Sequence, residues 1–461
     1  MRRFGLAILM VAAGVLLAPA AAWAHADLVG SEPGYGDRLP AAPAEIRLMF
    51  SGAIDLTGGR VTLQRRGSGR PMALEPELAT LDRKVVSVPH PPDLRDGPHT
   101  VLWSFLGKDG HLMGGEIPFS IGEPVGASQA PTTAGPRAVA ESAAPVPDRP
   151  RFTIAVATPQ AVVRVLDYVS LALLVGGGFF LARVWVEGTG DRRARRLLWW
   201  ALLGSAVATL LTFGLTAAGL RGVSALDALD PPVMGAVLGT RFSRVMAARA
   251  AFLGLGFLAL AVLTLGRESA ARSRWWQGLA ALAAGGVLGT HSLLGHASNE
   301  GFAARLAVFV HLAGVAVWLG GLLFLAAVVI PGRRPEEVRR VLPRYSNLAF
   351  TAVTTMVLAG TVMVLRVAPK VTELPQSGYG RMLLVKLGFV GLLLIAARQA
   401  RIFTERRLVT DATRIRPLVM AVGVELVLAV VILSSTSVLA GRRPPSTRPP
   451  TSAVSTLKGQ G

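Results

Sequence analysis

The chain contains no cysteine among its 461 residues. Disulfide bonds and thiolate metal sites are therefore excluded, and any metal ion must be held by His, Met, Asp, Glu or backbone groups. Histidine is also scarce, with seven in the whole sequence. The sequence has no glycine-rich nucleotide-binding loop, which argues against a reaction driven by ATP in this chain.

Apolar residues are abundant, at 51% of the chain, and the mean hydropathy is +0.49. This is too apolar for a soluble protein of this length, and the 16% of charged residues is too many for membrane spans throughout. We expect a soluble part joined to a membrane part. The net charge of +20 does not indicate nucleic acid, because the arginines cluster between apolar runs, where the positive-inside rule accounts for them.

Residues 1–24 have the pattern of a secretory signal peptide, with Arg2 and Arg3, an apolar stretch and the small-x-small site Ala22-Trp23-Ala24. Cleavage after Ala24 would make His25 the first residue of the mature chain. Its α-amine and its imidazole could then chelate one metal ion, because the amine titrates near neutrality and gives up its proton at modest cost. Cleavage elsewhere would leave His25 an ordinary residue.

Residues 25–122 are predicted to form an all-β domain, because several short runs alternate apolar and polar side chains between turns rich in Gly and Pro. A small sandwich or barrel is expected. Residues 123–152, rich in Ala, Pro, Ser and Thr, read as a flexible linker, and residues 441–461 as a disordered tail. The strands are expected at 45–51, 60–65, 84–88, 99–107 and 116–121.

The segment 153–440 is predicted to be an all-α polytopic membrane domain with about eight spans. If the β domain is exported, the loops at 183–196, 267–274, 331–344 and 398–416 lie inside, and these are the arginine-rich ones. The lipid bilayer is thus an expected partner. The spans are predicted at 160–183, 197–220, 245–266, 275–294, 304–330, 346–366, 382–400 and 417–440.

Asp109 and His111 are two residues apart, so in an extended segment both point to the same side. Together with His25 they offer three nitrogen ligands and one carboxylate, a set that suits Cu(II). Alternatively, residues 108–111 form an ordinary polar turn. His90 and His99 lie beside prolines and are expected at the surface.

The β domain resembles the CopC family of periplasmic copper-binding proteins. The resemblance implies a cupredoxin-like (Ig-like) β-barrel that binds Cu(II) through His25, Asp109 and His111. An enzyme alternative is the histidine brace of lytic polysaccharide monooxygenases, but Asp109 would occupy a coordination position that such chemistry keeps open, so no enzyme is expected. The resemblance rests on residues 25–33 (HADLVGSEP), 48–51 (LMFS), 101–104 (VLWS) and 109–115 (DGHLMGG).

Three further histidines, His291, His296 and His311, lie toward the outer side of the predicted membrane part. Polar residues at membrane depth usually face a bundle interior or a pathway, so these three are a candidate copper-entry site. Hydrogen bonds between helices are the alternative. The stretches 295–297 (GHA), 318–322 (WLGGL) and 383–387 (LLVKL) resemble the CopD family of copper-resistance membrane proteins. That resemblance implies copper movement across the bacterial inner membrane.

Four other ionisable residues in the predicted spans need partners. Arg164 and Asp167 are three apart and can pair with each other, while Glu425 lies deep in the eighth span with Lys386 as a candidate partner. An ion-pathway role for Glu425 is the alternative.

Met356 and Met363 share a face of the sixth span. They are either packing residues or part of a Cu(I) path. A di-haem cytochrome is a rival, but His291 and His311 supply only one axial pair.

These observations predict a copper homeostasis protein that binds Cu(II) outside the inner membrane and passes Cu(I) or Cu(II) to a multi-pass membrane domain for import. Joining the two parts raises the local concentration of donor at acceptor. Sequestration outside the membrane without transport is the main alternative, and a haem electron-transfer protein is less favoured. Other periplasmic copper carriers are possible partners.

Overall fold

A computed structural model describes residues 28–65, 71–89, 91, 94–107, 110, 112–122, 151–294, 301–332, 335–367, 378–403 and 415–439. The chain divides into two compact units. The first, here called the β unit, contains the strands of the β domain together with Phe213–Ser243. The second, the helical unit, contains Gln160–Thr212 and the helices from Arg244 onward.

The β domain confirms the prediction of a sheet structure. Its strands form a four-stranded sheet in the order β1-β3-β7-β6 and a five-stranded sheet in the order β2-β9-β8-β4-β5. The pairs are antiparallel except for β2 with β9, which is parallel. The strands are β1 (Leu28–Glu32), β2 (Arg38–Leu39), β3 (Glu45–Phe50), β4 (Ile54–Arg65), β5 (Met72–Leu74), β6 (Glu77–Leu78), β7 (Val85–Pro89), β8 (Gly97–Gly107) and β9 (Leu112–Ile121).

One apolar core lies between the two sheets, because alternate residues of their strands point inward. Phe50 of β3 meets Trp103 of β8 edge to face, with ring centroids 5.2 Å apart. The same alternation explains which residues are buried along these strands: Ile46, Leu48 and Phe50 in β3, and Val101, Trp103 and Phe105 in β8.

His99 belongs to this inward row, so the expectation that it lies at the surface was wrong. It is only 4% exposed, its ring stacks on Phe119 at 5.5 Å, and its Nε2–H donates to the Arg95 carbonyl at 2.7 Å. The physical reason is the two-residue period of a strand. His99 stands two residues before the core residue Val101, so both side chains point to the same face. His90 lies outside the described residues.

The remainder of the described chain is helical. A π-helical turn, Ala172–Gly176, joins α1 to α2, and a second one, Leu325–Val329, follows α7. The helices are α1 (Arg151–Leu171), α2 (Gly177–Arg183), α3 (Arg192–Arg221), α4 (Pro231–Met234), α5 (Arg241–Arg272), α6 (Arg274–Leu293), α7 (Phe302–Phe324), α8 (Pro335–Val367), α9 (Gly378–Phe403) and α10 (Ile415–Leu439).

Helices occupy all eight positions where spans were predicted. Within the described residues, however, only six of these helices are long and apolar enough to cross a membrane. The exceptions are α6 and α10. Helix α6 includes the polar residues Arg274, Gln277 and His291, and the apolar stretch found in α10 is the shorter Leu418–Leu433. A multi-pass helical region is therefore supported, while the count of eight remains a prediction.

The helical unit is held at its centre by a close backbone crossing. A Cβ on Gly176 would overlap the Ala316 carbonyl, and one on Gly320 would overlap the Ala172 carbonyl. Glycine is thus required where the first π-helical turn meets α7. The neighbouring Gly321 gives room for the ring of Tyr345 on α8. The glycines of the 318–322 stretch are therefore packing residues.

Candidate functional site

The three residues predicted to bind Cu(II), His25, Asp109 and His111, lie outside the described residues. The described ends of the β8–β9 hairpin are in register, with Leu106 opposite Leu112. Gly110 has a φ of 81° and its amide donates to the Gly107 carbonyl at 2.8 Å, so a tight turn needs glycine there. The ligand set itself stays a prediction.

His311 lies on α7 with its ring against α8. Its Nδ1 is 2.9 Å from the carbonyl oxygen of Met356. Because a carbonyl only accepts, Nδ1 carries the proton and Nε2 keeps a lone pair. Within the described part of the chain Nε2 has no hydrogen-bond partner. This is the arrangement in which imidazoles bind metals, one ring nitrogen oriented by a carbonyl and the other available.

The two methionines predicted to share a face lie on α8 together. Met356 is 7% exposed and packs in the apolar core of the helical unit, beside Gly314 of α7. Met363 is half-buried. Met356 therefore contacts His311 through its carbonyl oxygen and not through its sulfur. Packing in the apolar core explains the position of the Met356 side chain.

His291 belongs to a different group, a buried charge cluster centred on Arg249 of α5. The guanidinium donates through Nε to Thr209 Oγ1 at 2.9 Å, through Nη1 to His291 Nε2 at 2.7 Å, and through Nη2 to Asp167 Oδ1. His291 Nε2 also lies 3.3 Å from Asp167 Oδ2. One arginine thus joins α1, α3 and α6 to α5.

This charge cluster changes the partner expected for Asp167. The ion pair forms with Arg249, which the sequence analysis missed, and not with Arg164 on the same helix. Arg249 is 3% and Asp167 7% exposed. Water therefore cannot solvate these two charges, and each compensates the other. The signal was present in the sequence: Arg249 is an arginine inside an apolar run, where an acidic partner is required.

The charge cluster also engages His291, whose part in the predicted copper-entry site stays a prediction. Its Nε2 lone pair accepts from Arg249, and a fixed positive charge faces the ring. His296 lies outside the described residues. Among the residues that the structure describes, no three His, Asp or Glu side chains are placed to hold one metal ion. In the described structure, His311 presents Nε2 as a ring nitrogen suited to copper.

The predicted pair of Glu425 and Lys386 does not form in the structure. In the described residues neither side chain has an ion-pair partner within 4.0 Å. Glu425 is 8% exposed on α10 and interacts electrostatically with Tyr345, whose hydroxyl donates to the Trp318 carbonyl at 2.7 Å. Lys386 is half-buried on α9.

Comparison with known proteins adds three family matches along the chain. The CopC domain matches residues 28–122, the N-terminal domain of copper resistance protein D-like proteins matches 155–306, and copper resistance protein D matches 339–439.

Two curated relatives show the same division. The copper transport protein CutJ of Bacillus subtilis is 24% identical over 426 residues, which are 90% of this chain and 75% of that protein. Protein YobA of Escherichia coli is 31% identical over 121 residues, 26% of this chain and 93% of YobA. The first covers both parts of the chain, and the second covers little beyond the β domain.

Two crystal structures are similar to about a fifth of the chain. One is CopC from Methylosinus trichosporium OB3b, with 20% identity and a TM-score of 0.20, covering 21% of this chain and 94% of that one. The other is PcoC, a methionine-rich copper resistance protein from Escherichia coli, with 28% identity and a TM-score of 0.19, covering 21% and 99%.

Proposed function

Because the chain belongs to the copper-resistance family that joins a CopC domain to a CopD-type membrane part, we propose that it captures Cu(II) outside the bacterial inner membrane and passes copper to the helical unit for import. One observation carries the proposal: a copper-binding family and a copper-resistance membrane family match successive parts of one polypeptide. The similarity to a copper transport protein over 90% of the chain favours movement of the ion.

Capture is proposed at His25, Asp109 and His111 in the β domain, which is exported by the signal peptide. The α-amine and two imidazoles supply nitrogen, and the carboxylate lowers the net charge of the bound ion. The chain acts as a carrier in this proposal, with copper as its cargo, and no bond of an organic substrate is made or broken.

His311 is the proposed first acceptor in the helical unit. The Met356 carbonyl fixes its tautomer and leaves Nε2 as a ligand, so the ring need not reorient when copper arrives. His296 and Glu425 remain candidates for further positions on the route.

Sequestration without transport is the second candidate. It is favoured by the finding that the described residues of the helical unit do not assemble a three-ligand metal site. In that case the β domain would bind copper outside, and the helical unit would serve as its anchor.

Copper accumulation separates the two candidates. A deletion strain is complemented with the natural chain, with His311→Ala or with the matched control Met363→Leu, and intracellular copper is measured at equal protein levels. Import predicts a several-fold loss of accumulation on deletion, the same loss for His311→Ala, and full accumulation for Met363→Leu. Unchanged copper on deletion, with greater sensitivity to copper, would instead identify sequestration.

A further inference from the structure

The end of strand β8 is buried on both of its faces, which a two-sheet domain alone does not require. Phe105 faces the core of the β domain, as its alternation predicts. Ser104 and Leu106 point to the opposite face and are nevertheless only 5% and 1% exposed. Leu112, opposite Leu106 on β9, is 4% exposed, and neither leucine belongs to the core cluster. Something other than the second sheet therefore covers this face.

A hydrogen bond identifies the neighbour of this face within the β unit. The Ser104 hydroxyl donates to the carbonyl of Leu220 at 2.8 Å. Leu220 lies in the last turn of α3, where carbonyls lose their helical partners. The carbonyls of Ala218 and Gly219 are satisfied by the amides of Val223 and Gly222. A side chain of the β domain thus completes the C-terminal capping of α3.

A second contact is made by the bulge in β4. The pairing of β4 with β8 shifts register between Asp55 and Arg60, so residues 56–59 bulge from the sheet. Gly58 has a φ of 71°, and a Cβ there would overlap the Ala236 carbonyl oxygen. A Cβ on Gly239 would lie 3.7 Å from the Thr57 methyl group. The bulge therefore rests against residues 236–239.

Residues 222–240, here called the platform, are ordered by their own contacts. Ser224 caps the 3₁₀ turn Ala225–Leu229 by accepting from the Leu226 amide at 3.2 Å. Gly214 of α3 leaves room for the Ala228 carbonyl, and Val237 is fully buried.

We propose that the platform is a docking surface for the β domain, and that it seats the β4 bulge and the β8–β9 hairpin. The residues between the two strands of that hairpin include Asp109 and His111. A β domain seated on the platform does not diffuse freely on its linker. Docking of the β domain needs no copper. The inference rests on the proposed function only in taking copper as the ion that the docked β domain carries.

Cysteine cross-linking tests docking directly, because the chain has no native cysteine. Thr57→Cys and Leu238→Cys are introduced into the full chain, in membranes without copper, and treated with a short bismaleimide. Both positions are exposed, and Leu238 adjoins Gly239, the neighbour of Thr57. Docking predicts rapid intramolecular cross-linking of the double variant. A double variant that does not cross-link would overturn the proposal.

Two glycine substitutions separate docking from backbone strain. Gly58→Ala adds a methyl group against the Ala236 carbonyl and is expected to slow cross-linking roughly ten-fold. Gly36→Ala is the matched control, because Gly36 has a similar φ of 79° but nothing within 4 Å of its added Cβ, and it should cross-link at the original rate. Equal rates for both variants, whether slow or fast, would contradict docking. Copper accumulation is measured separately, so import can fail while docking stands.

Discussion

At the scale of single residues, Arg249 donates hydrogen bonds to side chains of three other helices of the helical unit. Replacing it with methionine removes its charge and leaves the buried Asp167 with His291 as its remaining contact. Breaking a buried ion pair on one side typically costs about 3–5 kcal/mol. We expect Arg249→Met to lower the thermal unfolding midpoint strongly, as measured by the folded fraction that survives heating in detergent.

The control for this prediction is a double variant. Arg249→Met with Asp167→Asn removes both charges and should recover much of the lost stability, because no uncompensated charge remains. Arg164→Met, on the same helix as Asp167, should have a small effect, since Arg164 forms no ion pair in the described residues. If Arg164→Met is as harmful as Arg249→Met, the assignment of the ion pair is wrong.

Residue-level chemistry was only partly predictable from the sequence. The burial of Asp167 followed from the apolar run around it. The partner of Asp167 did not, because Arg249 is distant in sequence and only the packing of α5 against α1 brings the two together. The burial of His99 could have been predicted from the sequence, since its two-residue spacing from Val101 places it on the core face despite the proline beside it.

At the scale of elements, the crossing of α7 with the first π-helical turn requires Gly320. Gly320→Ala places a methyl group against the Ala172 carbonyl, and forcing extra volume into a packed site costs about 1–3 kcal/mol. The thermal midpoint of the helical unit should fall accordingly. Gly178→Ala is the matched control, because its Cβ meets nothing within 4 Å and alanine favours helix. A lower midpoint for Gly178→Ala as well would show that close approach is not the cause.

Elements were the most predictable level of the structure. Alternation along β3 and β8 and the length of the apolar runs gave strands and helices at the expected places. Features that depend on a neighbouring element were not accessible in this way. Nothing local distinguishes Gly320, which admits a backbone carbonyl, from Gly178, which meets nothing, and nothing local indicates the π-helical turns.

At the scale of the whole molecule, the proposed capture of copper depends on where export trims the chain. Inserting one alanine between Ala24 and His25 should leave a mature chain that begins Ala-His. All side chains remain, but the amine and the imidazole no longer belong to one residue. Affinity for Cu(II) is expected to fall by more than the roughly 10–100-fold that loss of an outer-shell partner costs.

This loss is measured by Cu(II) titration of the purified full chain, with mass spectrometry to establish its first residue. His99→Gln is a control, because that histidine is buried in the β domain and bonded to Arg95. Unchanged affinity after the insertion would remove the amine from the proposed ligand set. The division into a β domain and a helical part was predictable at this scale from composition. The contacts of the β domain with the platform were not, because the composition of a linker does not indicate which surface a domain contacts.

The burial of Leu106 and Leu112 has a consequence for how this gene can change. If the chain were cut in the linker and its first part secreted alone, both leucines would become exposed beside each other on one sheet face. An isolated β domain would then be prone to self-association until polar residues replaced them. Separation of this protein into two independent genes would therefore require surface substitutions, which makes the fused arrangement difficult to reverse by a single step.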